Sequence, residues 1–331
     1  MTPFLRRLNS FLSATVLLIG FQMPIPAFAE APAKQKTLSV VPTTNPDGWR
    51  ILQGEDLFAA YLANSGGKPI VYPIEGPGGQ RMTRDFPMLD STPGEKHDHD
   101  HHRSLWFTHG DVNGVDFWAD DEGSGKIVQI AGEAVVDPKT GNVVVTTKNE
   151  WRDATGKRLL SDTRTFTFGA QQDQRVIDCE LRLDATDGDV NFGDTKEGSF
   201  GIRVAGTMKV DAKLGGKITN AEGLQDGEAW GKQSNWVDYS GPVDGKTVGI
   251  TLFYHPSSFA APCFWHVRTY GLFAANPFGV HHFTGGKPTA GVTLRAGTSL
   301  DIRCRVLLHQ GKFDPEKAAL EFAAYAEQAM P

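Results

Sequence analysis

Two stretches near the middle of the chain alternate in character with a period of two, and that period commits them to strands. In residues 175–183, Val176, Asp178, Glu180 and Arg182 fall on one face, and Ile177, Cys179, Leu181 and Leu183 fall on the other. Three of the first set are polar and all of the second are apolar, which describes a strand covered on one side only. Residues 163–168 alternate likewise. Residues 300–309 place Ile302, Cys304, Val306 and Leu308 inward, with Arg303 and Arg305 outward. Further strands are predicted over 127–136, 143–147, 201–210, 247–254 and 291–294, with a turn cluster at 137–142 between the first two. Asp187-Gly188, Asp226-Gly227 and Asp244-Gly245 are turn dipeptides. No series of helices alternates with these strands, and the chain carries 37 glycines and 19 prolines. The expected class is therefore all-β, a large antiparallel sandwich rather than a parallel α/β sheet. One short C-terminal helix is expected from Pro315 to Met330, capped by Asp314 and lying against the sheet edge.

The first 29 residues read as a secretory signal peptide. Arg6 and Arg7 precede a short apolar run, and Ala27-Phe28-Ala29 supplies the small residues of a cleavage site before Glu30. Gln22, Pro24 and Pro26 interrupt the run before it reaches the roughly 20 apolar residues of a spanning helix. Residues 30–37 form a polar leader, and 38–331 read as one domain without internal repeat or linker. The expected location is periplasmic or secreted. Loss of Arg6 and Arg7 leaves 31 basic against 39 acidic side chains, a balance that disfavours a phosphate-tracking nucleic-acid surface. No later segment reaches spanning length, so no integral membrane association is expected after cleavage. Three cysteines, Cys179, Cys263 and Cys304, show no metal-like spacing, and buried thiols are the expectation.

Chemistry concentrates in three places. Five of the ten histidines lie in residues 97–109, in the order His97-Asp98-His99-Asp100-His101-His102-Arg103, then His109. If extended, the segment points His97, His99 and His101 one way and Asp98, Asp100 and His102 the other. Such a set suits acid–base work near neutrality or, with His97, His99 and His102 as ligands, a first-row metal. Trp106, Asn113 and Trp118 follow closely. Aromatic faces beside carboxylates and amides suit sugars, whose C–H faces stack on rings while polar groups take the hydroxyls. The second place is 191–203, where Asp194, Lys196, Glu197 and Arg203 sit among glycines at a strand start. The third is 262–279, with Trp265, His266, Arg268, Tyr270 and Asn276, read as a long loop lining a pocket.

These stretches, with Trp236-Val237-Asp238-Tyr239-Ser240-Gly241-Pro242 and Arg305-Val306-Leu307-Leu308-His309, resemble the bacterial DUF6807 family, often labelled methane oxygenase PmoA. The resemblance runs from about Val40 to Tyr325. A methane oxygenase subunit would be an integral membrane protein, which the strand-sized apolar segments here do not match. The family is grouped with the galactose-mutarotase-like β-supersandwiches, so the resemblance implies that fold and a carbohydrate or sugar-derived ligand. It implies an epimerase or related acid–base enzyme, a glycoside- or polysaccharide-cleaving enzyme, or a non-catalytic sugar-binding protein. A metal-dependent enzyme built on the 97–109 cluster is the further alternative. Mutarotase-like enzymes pair a histidine acid with a glutamate base. The matching candidates are His99, His102 or His266 for the acid and Glu197 for the base. Arg103, Trp106, Asn113, Trp118, Asp194, Lys196, Arg203, Trp265, Arg268 and Asn276 are the candidates for substrate binding. No cofactor is expected, and the oligomeric state is left open.

Overall fold

The computed structural model describes Met1 and residues 36–329, apart from positions 91, 94, 172, 287 and 288. The signal peptide predicted over 1–29 and most of the leader lie outside the described residues. The chain divides into Met1–Lys34 and a compact unit, Gln35–Pro331, which carries the fold.

Alternating side chains produce two large antiparallel sheets. The first runs, edge to edge, β1 (Leu38–Thr44), β2 (Asp47–Gln53), β3 (Asp56–Ser65), β4 (Lys68–Ile74), β5 (Leu105–His109), β11 (Gly198–Arg203), β16 (Leu272–Asn276) and β15 (Phe264–Val267). The second runs β12 (Lys217–Asn220), β13 (Trp236–Val243), β14 (Lys246–Tyr254), β18 (Ser299–Gln310), β9 (Gln174–Asp184), β8 (Arg158–Gln171), β7 (Val143–Arg152) and β6 (Lys126–Val136). A two-stranded pair joins β10 (Val190–Phe192) to β17 (Val292–Leu294). The all-β reading holds.

The core lies between the large sheets. Phe58 meets Phe168 edge-on, Tyr61 meets Phe166, and Phe107 meets Trp151. The predicted inward sets of β9 and β18 are buried there, and Cys179 lies opposite Cys304 in the register. Both thiols and Cys263 are free and buried. A buried ion pair also sits in this core. Arg164 Nη2 donates to Asp162 Oδ2 at 2.8 Å, while Asn149 Nδ2 and Trp151 Nε1 donate to the same carboxylate at 2.6 Å each. Asp244-Gly245 makes the two-residue turn between β13 and β14, both residues at positive φ, as a tight hairpin requires.

Three details differ from the sequence reading. The strand predicted over 201–210 ends at Arg203, because Val204 makes only a single bridge, to Thr83, before a turn from Ala205 to Met208. The C-terminal helix (Pro315–Ala326) is capped as expected, Asp314 accepting from the N–H groups of Glu316 and Lys317, a contact worth about 1 kcal/mol. It does not flank an edge. It lies over the outer face of β13, β14 and β18, burying Ala318 and Tyr325 with Trp236, Phe253 and Leu307. Arg303, expected to face solvent, is consequently covered, and donates to Gln328 O at 3.1 Å. Among the described residues, no helix is long and apolar enough to cross a membrane.

Candidate functional site

The first sheet has a second face, turned away from the core, and its side chains follow from strand alternation. In β5, Leu105 and Phe107 go into the core, so Trp106 and Thr108 go out. In β11 the same rule sends Gly201 and Arg203 out, in β16 Leu272 and Ala274, and in β15 His266. The register lines up Ile70, Trp106, Gly201, Ala274 and His266 across five strands. Gly201 is the floor of this row. A Cβ built on it would stand 2.7 Å from Trp106 Cζ2, so only glycine lets the indole lie on the sheet there.

Over this floor sits the histidine segment, which is a loop and not a strand. His99 and Ser104 have φ of 50° and 59°, and His102 N donates to His99 O at 2.9 Å. The turn brings His99 and His102 to the same side, which an extended segment would have separated. Arg84 organises it. Its buried guanidinium donates to the carbonyls of Lys96, Asp98, His99 and His102 and to Asp98 Oδ1. Asp98 Oδ1 also accepts from Arg203 Nη2 at 2.9 Å. Burial opposes the Asp98 charge, but the two guanidinium groups prevail and hold its carboxyl below the usual range.

Four rings form a continuous stack. Trp106 faces His102 at 5.3 Å, His102 faces His99 at 4.8 Å, and His99 faces Tyr270 at 5.4 Å, all within 20° of parallel. Trp118 meets Trp106 and His102 from the side, and His101 meets His102 edge-on. His102 Nδ1 lies 3.0 Å from Arg203 Nη1. A guanidinium can only donate, so Nδ1 carries the lone pair and the proton sits on Nε2. Burial, with His101 and Arg203 close by, pushes the His102 pKa well below its ordinary value, so the ring is neutral at pH 7.

The opposite wall comes from 194–197 and β15. His266 Nδ1 lies 2.9 Å from Lys196 O. A carbonyl only accepts, so here Nδ1 holds the proton and Nε2 is left as a bare lone pair. Burial lowers the His266 pKa to about 4, against the pull of the Glu197 carboxylate beside it. Glu197 is about one-third exposed and is ion-paired with Lys196. Asn276 fixes this wall from below. It is fully buried, its Nδ2 donates to Thr195 O, and its Oδ1 accepts from Phe278 N and Gly279 N. His109 does the same from β5, within 2.8 Å of Gly193 O. Between the two walls, the Arg268 guanidinium lies 5.7 Å from the Trp230 ring centre and 5.6 Å from that of Tyr270, and Arg203 lies 4.8 Å from Tyr270.

His99, His102, Trp106, Trp118, Arg203 and Tyr270 are thus one contiguous group, and Lys196, Glu197, His266 and Arg268 adjoin it. Others sit elsewhere. Trp265 is buried in the core with its indole N–H on Ser234 O, and offers no stacking face. It could not share the His266 face, since 262–279 is not one loop but β15 and β16 with a turn between. Asn276 is a structural anchor. Asn113 caps a turn near β10, accepting from Asn191 N. Asp194 accepts from His281 N and Thr289 Oγ1. Arg103 is committed to Asp120 and Ser65. His97 stacks on Phe86 and pairs with Asp90, so it does not join His99 and His102. Among the described residues, no three His, Cys, Asp or Glu side chains converge as a metal site.

Sequence reasoning missed Arg84, Trp230 and Lys68. Lys68 is buried in β4, its Nζ donates to Trp118 O at 2.8 Å, and burial brings its pKa down to about 8. The indole N–H groups of Trp106 and Trp118 and the Thr108 hydroxyl are also buried, without hydrogen-bond partners among the described residues. A lysine opening an apolar strand was the one available signal.

The architecture and this site define an all-β protein with a histidine–arginine face on one sheet. The chain belongs to the DUF6807 family, a family of unknown function, whose model matches residues 49–323. No curated protein matches it. Among solved structures it is similar to a GH36 α-galactosidase from Geobacillus stearothermophilus, at 11% identity and TM-score 0.40, over 82% of this chain and 41% of that one. It is also similar to a glycoside hydrolase family 97 enzyme from Pseudoalteromonas sp. strain K8, at 9% identity and TM-score 0.32, over 84% of this chain and 35% of that one. A polysaccharide lyase matches at 10% identity and TM-score 0.35, over 88% of this chain and 35% of that one. The chain thus spans well under half the length of each.

Proposed function

We propose that the protein is a carbohydrate-directed acid–base enzyme of the epimerase or mutarotase type, exported from the cytoplasm, and that the outer face of the first sheet is its active site. The observation that carries this reading is the pair formed on that face by buried His266 and partly exposed Glu197. The Lys196 carbonyl holds the proton on Nδ1, so Nε2 is bare. A neutral imidazole with a free Nε2 is a proton acceptor, and the neighbouring carboxylate stabilises the imidazolium that forms. This reverses the roles expected from the mutarotase pattern, where histidine was the acid and Glu197 the base.

In ring opening, His266 Nε2 would take the proton of the anomeric hydroxyl as the bond from C1 to the ring oxygen breaks. The ring oxygen then needs a donor. His102 Nε2–H and Tyr270 O–H have no partner among the described residues, and Tyr270 is held protonated, first by burial. They are the groups placed to supply it. Closing the ring reverses both transfers, so protons balance over the cycle. Trp106, Trp118 and His102 are buried within the stack, so contact with a sugar ring falls to the exposed His99 and the half-buried Tyr270 at its end.

NMR of mono-, oligo- and acidic saccharides with the wild type and Glu197→Gln tests the reaction class. Faster anomeric or epimeric exchange with no cleavage, lost in Glu197→Gln, is expected. New reducing ends would make it a hydrolase, and unsaturated products a lyase. Binding without any turnover would reduce it to a sugar-binding protein.

A further inference from the structure

A cleft of about 780 Å³ opens beside the histidine face, walled by parts of 75–85, 92–96, 205–214 and 243–244. Its volume lies in the range of small-molecule sites, about 300–1,000 Å³. Tyr270 belongs to both, lining the cleft and ending the ring stack. Lys209 lines the same end. It is 9% exposed, its aliphatic chain lies so close to Gly271 that a Cβ there would come within 3.0 Å of Cγ, and its ammonium has no hydrogen-bond or ion-pair partner among the described residues. The charges around it are Arg203, Lys96, Arg84 and Asp98, three cations and one carboxylate. That carboxylate is already shared between Arg84 and Arg203. On the other side of Tyr270, Arg268 lies between two rings and has no carboxylate partner among the described residues. The Lys209 stem is covered while its ammonium is not among the buried unpartnered atoms and opens on the cleft, so an unpaired cation with further cations around it faces whatever the cleft holds, and an anionic group is its natural partner.

The remaining charges of the cleft do not complete it. Asp85 is taken by Arg81, Tyr72 and Thr92, and Glu95 by the N–H groups of Asp85 and Phe86. Glu75, Asp211 and Asp244 make carboxylates outnumber the cations Arg81, Lys96 and Lys209 in the lining, so hydroxyls suit most of the walls and an anionic substituent is directed to the end held by Lys96 and Lys209.

We propose that the substrate is an anionic sugar chain. The unit undergoing reaction occupies the histidine face, the chain passes Tyr270, and the next units fill the cleft with a carboxylate or sulfate on Lys209. This rests on the sugar reading of the histidine face, but its test is a binding measurement and needs no turnover.

Calorimetric titration of the mature protein with tetragalacturonate, a sulfated carrageenan tetrasaccharide and cellotetraose provides that test. One of the anionic tetramers is expected to bind at least about tenfold more tightly than cellotetraose, and which one identifies the substituent. Lys209→Gln should abolish that preference and Lys209→Arg should retain it. The exposed-rim variant Lys96→Ala, which carries little risk of misfolding, should weaken anionic binding by a smaller factor. Equal affinity for neutral and anionic tetramers, or a preference untouched by Lys209→Gln in a protein of unchanged melting temperature, would overturn the proposal. If Lys209-dependent binding appears but no saccharide is turned over, the cleft assignment stands and the catalytic reading falls.

Discussion

Two buried arginine clusters in this molecule are built on opposite principles. In the core, Arg164 and Asp162 are matched one to one, 1% and 0% exposed, and both carboxylate oxygens are saturated by Arg164, Asn149 and Trp151. Beside the histidine loop, Arg84 and Arg203 share a single oxygen of Asp98, which is 35% exposed, and a positive charge is left over. The first cluster has nothing to offer a ligand. The second fixes a loop, sets the tautomer of His102 and leaves a field that an anion would complete. Charge balance, rather than burial, separates the structural pair from the functional one.

The largest effect is expected in the closed cluster. Asp162→Ala strands a buried guanidinium and should cost about 3–5 kcal/mol in urea unfolding. Asp98→Asn should cost clearly less, because the Asp98 side chain is itself 35% exposed, an amide oxygen can still accept from both guanidinium groups, and Arg84 keeps its loop carbonyls, while it loosens the 96–102 loop and removes saccharide binding. Equal losses of stability would break the contrast.

Next comes pH. Burial depresses His109, His101 and His266 to about 4. Below about 6.5 the unfolded chain binds protons that the folded one refuses, so stability present above 6.5 is lost as pH falls towards 4. The fully buried His109 alone is worth on the order of 3 kcal/mol at the acid end. Urea midpoints measured across this window should fall in the wild type and fall less in His109→Gln. A flat profile would contradict the burial assignment.

A smaller effect is expected at the floor of the site. Gly201→Ala must displace Trp106, at a cost of about 1–3 kcal/mol. Because Trp106 begins the ring stack, tryptophan fluorescence and saccharide affinity should change together. A change in stability with affinity untouched would detach the stack from binding.

These contrasts also show what the sequence made legible. β9 and β18 could be read because one face is uniformly apolar, and local alternation carries that information. The same rule, applied to β15, would have separated Trp265 from His266, but the prolines and glycines of 262–279 suggested a loop and hid the strand. The histidine loop was conspicuous, yet its geometry was not. Arg84 sets it from a different part of the chain, and nothing near Arg84 in sequence marks it. Glu197 and His266 could be named as candidates by residue type. Their adjacency depends on Asn276 and His109 holding the 193–197 segment, which are contacts across more than 80 residues.

The central claim is that His266 moves a proton, with Glu197 stabilising the imidazolium it becomes, and that neither merely holds the ligand. For whichever saccharide the wild type turns over, the direct measurement is turnover and affinity side by side in Glu197→Gln and His266→Gln. The account predicts turnover reduced about 100- to 10,000-fold with the dissociation constant within about threefold of wild type. Turnover that survives both substitutions, or falls only as far as affinity falls, would contradict it.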